Sequence, residues 1–255
     1  MADLHPMDIP ADPNKRLKAN TEKCEGEKYM QFPYPYKQAV GALLYVALST
    51  RPDISFAVGQ IAQQSHSPDD THWLAVLHIF AYLLKTKHLG LWLGGKMNGL
   101  LGFSDSDFAG NLDDRSSTSG SIFFYHGGPV AWSSRKQKCI ALSTTEAEYV
   151  AGAEASATAI WLRCLCGDLN GVDQTVPMFC DNNGAVLLAH NPEFHPKTKH
   201  IQNKYHFIRR AVEEKKITVT HIRAEDQLAD IFTKPLPKVT FESMRARIGV
   251  GSLKG

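Results

Sequence analysis

Four carboxylates stand at positions where charge is out of place. Asp105 closes the run Leu100 to Asp105, and strand alternation puts it on the face of Leu101 and Phe103. Asp181 repeats the arrangement after the apolar run Val176 to Cys180. Ligand sites in open α/β sheets lie off the carboxyl ends of strands, so two strand-end acids point to one site. Glu148 falls in the first turns of a long helical pattern, and Asp230 interrupts the apolar stretch Leu228-Ala229-Asp230-Ile231-Phe232. Acids gathered in apolar surroundings repel one another unless they take up protons or bind cations. Hard divalent ions with oxygen ligands meet that need, and magnesium suits acids arriving from separate elements. Two such ions about 3.5–4 Å apart can activate a water and stabilise the leaving oxygen of an in-line displacement at phosphorus. Each acid also has a plainer reading, because a strand-end Asp commonly forms a turn or caps a helix. Spacing leaves both readings open.

The elements that must position these acids follow from periodicity. Residues 1–35 are rich in Pro, Lys, Asp and Glu without sustained period, which predicts an extended or partly disordered lead-in. Three helical patterns follow, Tyr36 to Ser49, Asp53 to Ser65 and Asp69 to Lys87, with Gly90 placed to close the third. They form a small helical unit over 36–95, whose apolar stripes read as mutual packing. After Gly94-Gly95 come short strands, Leu100 to Asp105, Ser119 to His126 and Pro129 to Ser134. A helix from Thr144 to about Asp168 begins with Ser143-Thr144-Thr145-Glu146, a capping-box pattern that gives Glu146 a structural role. A strand Val176 to Asp181, a short helix to His190, a helix from Lys197 to Lys216, a strand Ile217 to Arg223 and a final helix from Glu225 complete the pattern. This alternation predicts a mixed sheet covered by helices over 96–236, with 237–255 as a C-terminal tail.

Composition narrows the class without naming a function. The 255 residues carry a formal net charge of +2, too little to announce a polyanion partner, so any electrostatic footprint is local. Five cysteines without a CxxC pair fit neither a disulfide framework nor a tetrahedral zinc site, which suggests a reducing compartment. The start lacks a signal-peptide pattern, and no run reaches the roughly 18 apolar residues of a membrane span. The expectation is a soluble intracellular chain, cytoplasmic and including virus-like particles, with the nucleus as an alternative.

Dense motifs then connect the chain to a family. The blocks are Gly102-Phe103-Ser104-Asp105-Ser106-Asp107-Phe108-Ala109-Gly110, Arg115-Ser116-Ser117-Thr118-Ser119-Gly120, Ala131-Trp132-Ser133-Ser134-Arg135-Lys136-Gln137 and Ser143-Thr144-Thr145-Glu146-Ala147-Glu148-Tyr149. They continue with Cys180-Asp181-Asn182, Thr198-Lys199-His200-Ile201, His206-Phe207-Ile208-Arg209 and Gln227-Leu228-Ala229-Asp230-Ile231-Phe232-Thr233-Lys234-Pro235-Leu236. In this order they resemble the ribonuclease H region of copia-like retrotransposon Pol polyproteins. Val40-Gly41-Ala42-Leu43-Leu44-Tyr45 and Thr50-Arg51-Pro52-Asp53-Ile54-Ser55-Phe56-Ala57 resemble the end of the reverse transcriptase in the same polyproteins.

The resemblance implies an α/β, ribonuclease H-like fold, a five-stranded mixed sheet flanked by helices and preceded by the small helical unit. It implies a metal-dependent endonuclease that hydrolyses the RNA strand of RNA–DNA hybrids, with two Mg2+ ions, or Mn2+ in their place, on Asp105, Glu148, Asp181 and Asp230. Asp107 rivals Asp105 and Glu146 rivals Glu148; the family's first acid directly follows the strand, and Glu146 has its capping role. The Tyr-x-Asp-Asp motif of the polymerase does not occur, so polymerase activity is not expected. The histidine that many cellular ribonucleases H carry shortly before the last Asp is also missing from Ile222 to Leu228, and His221 reads as a satisfied strand residue. Partners implied are the hybrid and the upstream reverse transcriptase segment. Phosphate contact would fall to Arg135, Lys136 and Lys138 in one cluster, and to Lys199, His200 and Arg209 in another. The alternative is a catalytically silent remnant of a decayed element that binds nucleic acid or docks other subunits.

Overall fold

The apolar stripes of the first helical patterns do become packing faces. In the computed structural model, which describes residues 5–20, 33–95, 98–171, 173–190 and 202–252 (202–205 as backbone), α1 spans Tyr36–Ser49 and buries Tyr36, Val40, Leu43 and Ala47. A 3-10 turn at Pro52–Ile54 leads into α2, Ser55–Ala62, and α3 spans Asp70–Lys85. Asp69 caps α3: its carboxylate accepts from His72 N at 3.0 Å while its own N–H donates to His72 Nδ1 at 3.0 Å. Thr86, and not Gly90, ends that helix, and Gly90 lies in a strand β1, Leu89–Leu91.

The described part of the lead-in, residues 5–20, is tied down. His72 Nε2 reaches the Lys18 carbonyl and His78 Nε2 the Ile9 carbonyl, each at 2.9 Å, and Asp8 pairs with Lys85 and Lys238. Extended backbone without a strand partner needs such side-chain bonds to satisfy its polar groups.

The mixed sheet is built from β2 (Leu100–Asp107), β3 (Thr118–Tyr125), β4 (Gly128–Lys136), β5 (Val176–Cys180) and β6 (Ile217–His221), interleaved with α4 (Thr144–Asn170), α5 (Asn183–His190) and α6 (Gln202–Glu213). Strand order is β4-β3-β2-β5-β6; β2, β3 and β4 are antiparallel neighbours, while β5 runs parallel to β2 and β6 parallel to β5. This is the ribonuclease H-like mixed sheet that the motifs implied. Its core joins Phe123, Val176, Met178 and Ile217 of the strands to Tyr149, Val150 and the alanines of α4. Small residues along α4 let a 27-residue helix lie close to the sheet. It ends at Gly171, whose φ of 68° is the left-handed conformation of a helix stop.

Two expectations are corrected beyond β6. The final helix expected from Glu225 is two 3-10 turns, Ala224–Asp226 and Leu228–Phe232. The reason is local: all five residues Leu228 to Phe232 are buried, so no polar face remains for an amphipathic α-helix. The segment expected as a tail over 237–255 instead forms α7, Lys238–Arg247, and β7, Val250–Ser252, which pairs antiparallel with β1.

By contacts, residues 1–91, 112–114 and 234–255 form one unit and 92–111 and 115–233 the other. Within the first, buried Arg51, Asp53, Tyr82 and Thr86 and half-buried Arg245 make a polar network around α3 and α7. Arg51 donates to both Asp53 oxygens at 2.9 and 2.8 Å and to Thr86 Oγ1 at 2.8 Å, and Tyr82 OH donates to Asp53 Oδ2 at 2.5 Å. Arg245 Nη1 donates to Tyr82 OH at 3.2 Å.

Candidate metal centre

Each acid reaches the site on a different element. Asp105 is the sixth residue of β2 and pairs in register with Gly120 of β3. Asp181 follows the last residue of β5. Glu148 lies one turn into α4, whose start is fixed by Ser143 Oγ accepting from Glu146 N at 3.2 Å. Glu146 accepts from Leu142 N at 2.8 Å, one residue before the Ser143 N–H that a capping box would use, so it is held at the helix start and leaves Glu148 to face the sheet. Asp230 is carried by the 3-10 turn Leu228–Phe232, which lies against β2 and β3.

The result is convergence. One ligand atom from each of Asp105, Asp181 and Asp230 lies within 4.8 Å of the others, and the same holds for Glu148, Cys180 and Asp181. Asp181 belongs to both sets. Asp105, Glu148 and Asp230 are only 3%, 6% and 7% exposed, so water does little to screen their repulsion. Asp107, the rival of Asp105, is in neither set; its carboxylate packs against Gly110. β2 runs two residues beyond Asp105, so Asp105 lies within the strand and not directly after it as expected, and its place in the ligand set, not the strand end, sets it apart from Asp107.

Repulsion shows in the proton affinity of Glu148. Burial, then the charges of Asp105 and Asp181, push its carboxyl from the ordinary 4.5 up to about 9. Ser106 N donates to Oε1 at 3.0 Å and works against that shift. The linkage runs opposite to that of a salt-bridged acid: a carboxyl raised on folding contributes stability below about pH 4.5, lost as pH climbs toward about 9. In EDTA, therefore, stability should fall with pH across that window. Glu148→Gln, neutral at every pH, is expected to flatten the fall and to be more stable than wild type at pH 8 by on the order of 1–3 kcal/mol. Thermal unfolding at pH 5, 6.5 and 8 in EDTA measures both.

Two neighbours complete the site that the four acids alone did not announce. Thr233, fully buried, donates its hydroxyl to Asp105 Oδ2, and its N–H donates to Asp230 O at 3.1 Å. Cys180 Sγ lies 3.7 Å from Glu148 Oε2, and burial beside Glu148 holds the thiol well above its usual range. It stays a neutral S–H donor, which leaves carboxylate oxygens as the charged ligands. Such a set fits a hard divalent cation.

Gly120 is what lets the Asp230 segment approach. A Cβ there would stand 2.6 Å from Thr233 Cγ2, 2.9 Å from the Ala229 carbonyl oxygen and 2.9 Å from Phe232 Cβ. Gly120→Ala is expected to cost roughly 1–3 kcal/mol and to weaken metal binding, because the displaced backbone carries Asp230 and Thr233. Urea unfolding and Mn2+ titration of one variant preparation check the pair of effects.

The basic residues are dispersed by comparison. Arg135 and Lys138 are exposed, Lys136 is half-buried, and β4, which carries Arg135 and Lys136, is an edge strand. Arg209 on α6 is half-buried with Nε 3.5 Å from the Leu188 carbonyl. Lys199 and His200 lie outside the described residues. His221 is exposed, and its Nε2 sits 3.1 Å from the Asp181 carbonyl oxygen.

No protein-family profile matches the chain. Among curated proteins, it is 39% identical over 92% of its length to the retrovirus-related Pol polyprotein from transposon TNT 1-94 of Nicotiana tabacum, covering 18% of that protein. It is 42% identical over 86% of its length to the Pol polyprotein from transposon RE2 of Arabidopsis thaliana, and 40% over 98% to that from RE1, covering 15% and 17% of them. The chain belongs to the Pol polyproteins of copia-like retrotransposons. This Pol segment spans less than a fifth of the length of those three relatives. Among solved structures it is similar to LC11-RNase H1 isolated from compost, with TM-score 0.43 and 21% identity over 54% of this chain and 94% of that one. It is also similar to the N-terminal RNase H domain of rv2228c from Mycobacterium tuberculosis, with TM-score 0.41 and 13% identity over 59% and 98%.

Proposed function

We propose that this Pol segment is a ribonuclease H that hydrolyses the RNA strand of RNA–DNA hybrids with two divalent ions, Mg2+ or Mn2+, held by Asp105, Glu148, Asp181 and Asp230. The observation that carries the reading is the pair of overlapping ligand sets that meet at Asp181. Membership in the Pol family supports the hybrid as substrate. Bound divalent ions would supply an activated water and neutralise charge on the scissile phosphate. Asp105 is oriented for its share by the Thr233 hydroxyl, and Glu148 by the Ser106 N–H. Cys180 packs its thiol against Glu148 Oε2. Glu148 must lose its proton to serve as a ligand, so a cation and that proton compete for the same oxygens. Exposed Arg135 and Lys138 offer phosphate contacts at the β4 edge. The reverse transcriptase segment upstream in the polyprotein is the proposed protein partner.

The test offers end-labelled RNA alone, in an RNA–DNA hybrid and in an RNA duplex, each with Mg2+ and with EDTA. Internal cleavage of the hybrid alone, abolished by EDTA, is the expected result. Cleavage of all three substrates would overturn hybrid specificity, and cleavage in EDTA would overturn the metal role.

A further inference from the structure

Two buried glutamines bracket Asp105. Gln137, 4% exposed, follows β4, and its Nε2 donates to the Ala147 carbonyl at 3.0 Å, to Ser119 Oγ at 3.0 Å and toward Ser106 Oγ at 3.2 Å. Ala147 directly precedes Glu148, and Ser106 donates its N–H to Glu148 Oε1. One amide therefore joins the start of α4 to the strands β2 and β3 at the level of the acids. Gln227, fully buried, does the same for the other arm. Its Nε2 donates to the Ser104 carbonyl at 2.9 Å, its Oε1 accepts from Ala229 N at 3.2 Å, and its backbone carbonyl accepts from Asp230 N at 3.3 Å.

We infer that Gln137 and Gln227 are positioning residues of the metal centre, each tying one acid-bearing arm to β2 on either side of Asp105. The inference rests on the metal reading above. Three nearly buried acids and the half-buried Asp181, gathered into two overlapping ligand sets, push apart, and the elements that carry Glu148 and Asp230 lie on separate stretches of chain. Something must oppose the opening when no cation is bound. The amide suits that task because it donates to several acceptors and brings no charge to the site, and that of Gln227 also accepts, from Ala229 N. A carboxylate there would add repulsion, and a lysine would neutralise the acids in place of the cation. Held arms let the cation bind without also having to gather its ligands, so the glutamines act through metal affinity.

Free Mn2+ followed by electron paramagnetic resonance during titration reads this without any cleavage. The variants are Gln137→Met and Gln227→Met, which keep side-chain length and lose the amide, with Ser119→Ala as a milder cut in the Gln137 arm. Leu162→Ala is the control, a buried α4 residue about 21 Å along the helix from Glu148. Circular dichroism confirms that each variant titrated is folded. Expected are an affinity about tenfold weaker for either glutamine variant and a lesser loss for Ser119→Ala, typical of groups that orient ligands, and wild-type affinity for Leu162→Ala. The rise in Tm on adding Mn2+ should shrink in the glutamine variants and persist in the control. Wild-type affinity in the glutamine variants, or an equal loss in Leu162→Ala, would overturn the positioning role. A wild-type protein that takes up no Mn2+ would overturn the metal reading and this inference together.

Discussion

Asp181→Asn is expected to lower hybrid cleavage on the order of a thousandfold or more while leaving the protein folded. The substitution keeps size and shape but removes charge at the one residue shared by both ligand sets. Loss of either metal position removes several kcal/mol of stabilisation from the charged transition state, and each 1.36 kcal/mol is a factor of ten in rate. Because Asp181 is half-buried at the mouth of the site, the neutral amide should be tolerated by the fold, and relief of repulsion on Glu148 should raise the Tm in EDTA. Single-turnover cleavage beside a melting curve tests both halves. Residual activity within tenfold of wild type would mean that Asp181 is not the shared ligand.

The largest loss of stability is expected from Arg51→Leu. Asp53 is 1% exposed and receives both its strong ionic bonds from Arg51, so the variant strands a buried carboxylate with only Tyr82 as donor. Breaking such a pair from one side costs roughly 3–5 kcal/mol, whereas replacing both partners with apolar groups is far milder. The double variant Arg51→Leu with Asp53→Leu should therefore recover much of the loss. Amide hydrogen exchange localises the effect: protection should fall first in α1, α3 and α7, the elements around the network. Uniform loss across β2 and β3 as well would contradict the division into two units.

How far the chain could be read without coordinates depended on the kind of signal. Strands β2 to β6 and helices α1 to α4 were legible within a few residues, most through the period that one buried face imposes on sequence, and β3, buried on both faces, through the turn residues that bound it. Asp105 and Asp181 were visible as charges ending apolar runs, and Glu146 declared itself as a cap. Asp230 was legible as an acid among apolar residues, but its 3-10 setting was not, since complete burial erases periodicity. Gln137, Gln227 and Thr233 stand inside the family blocks, but nothing in the sequence marked their roles. The bonds that tie them to the rest of the site reach residues 10 to 128 positions away, and nothing local marks a glutamine whose partner is a distant carbonyl. The C-terminal segment was misread for a related reason, as β7 has meaning only beside β1.

That last pairing has a consequence in time. Leu89 and Ser252 are register partners, yet about 160 residues, including the whole five-stranded sheet, are synthesised between them. At 5–20 residues per second, β1 waits roughly ten to thirty seconds for its partner to leave the ribosome. During that interval the sheet that carries the acids can already be assembling, while the helical unit still lacks α7, Arg245 and its closing strand. The unit that carries the acids is thus made between two separate portions of the other unit, which is completed only after it.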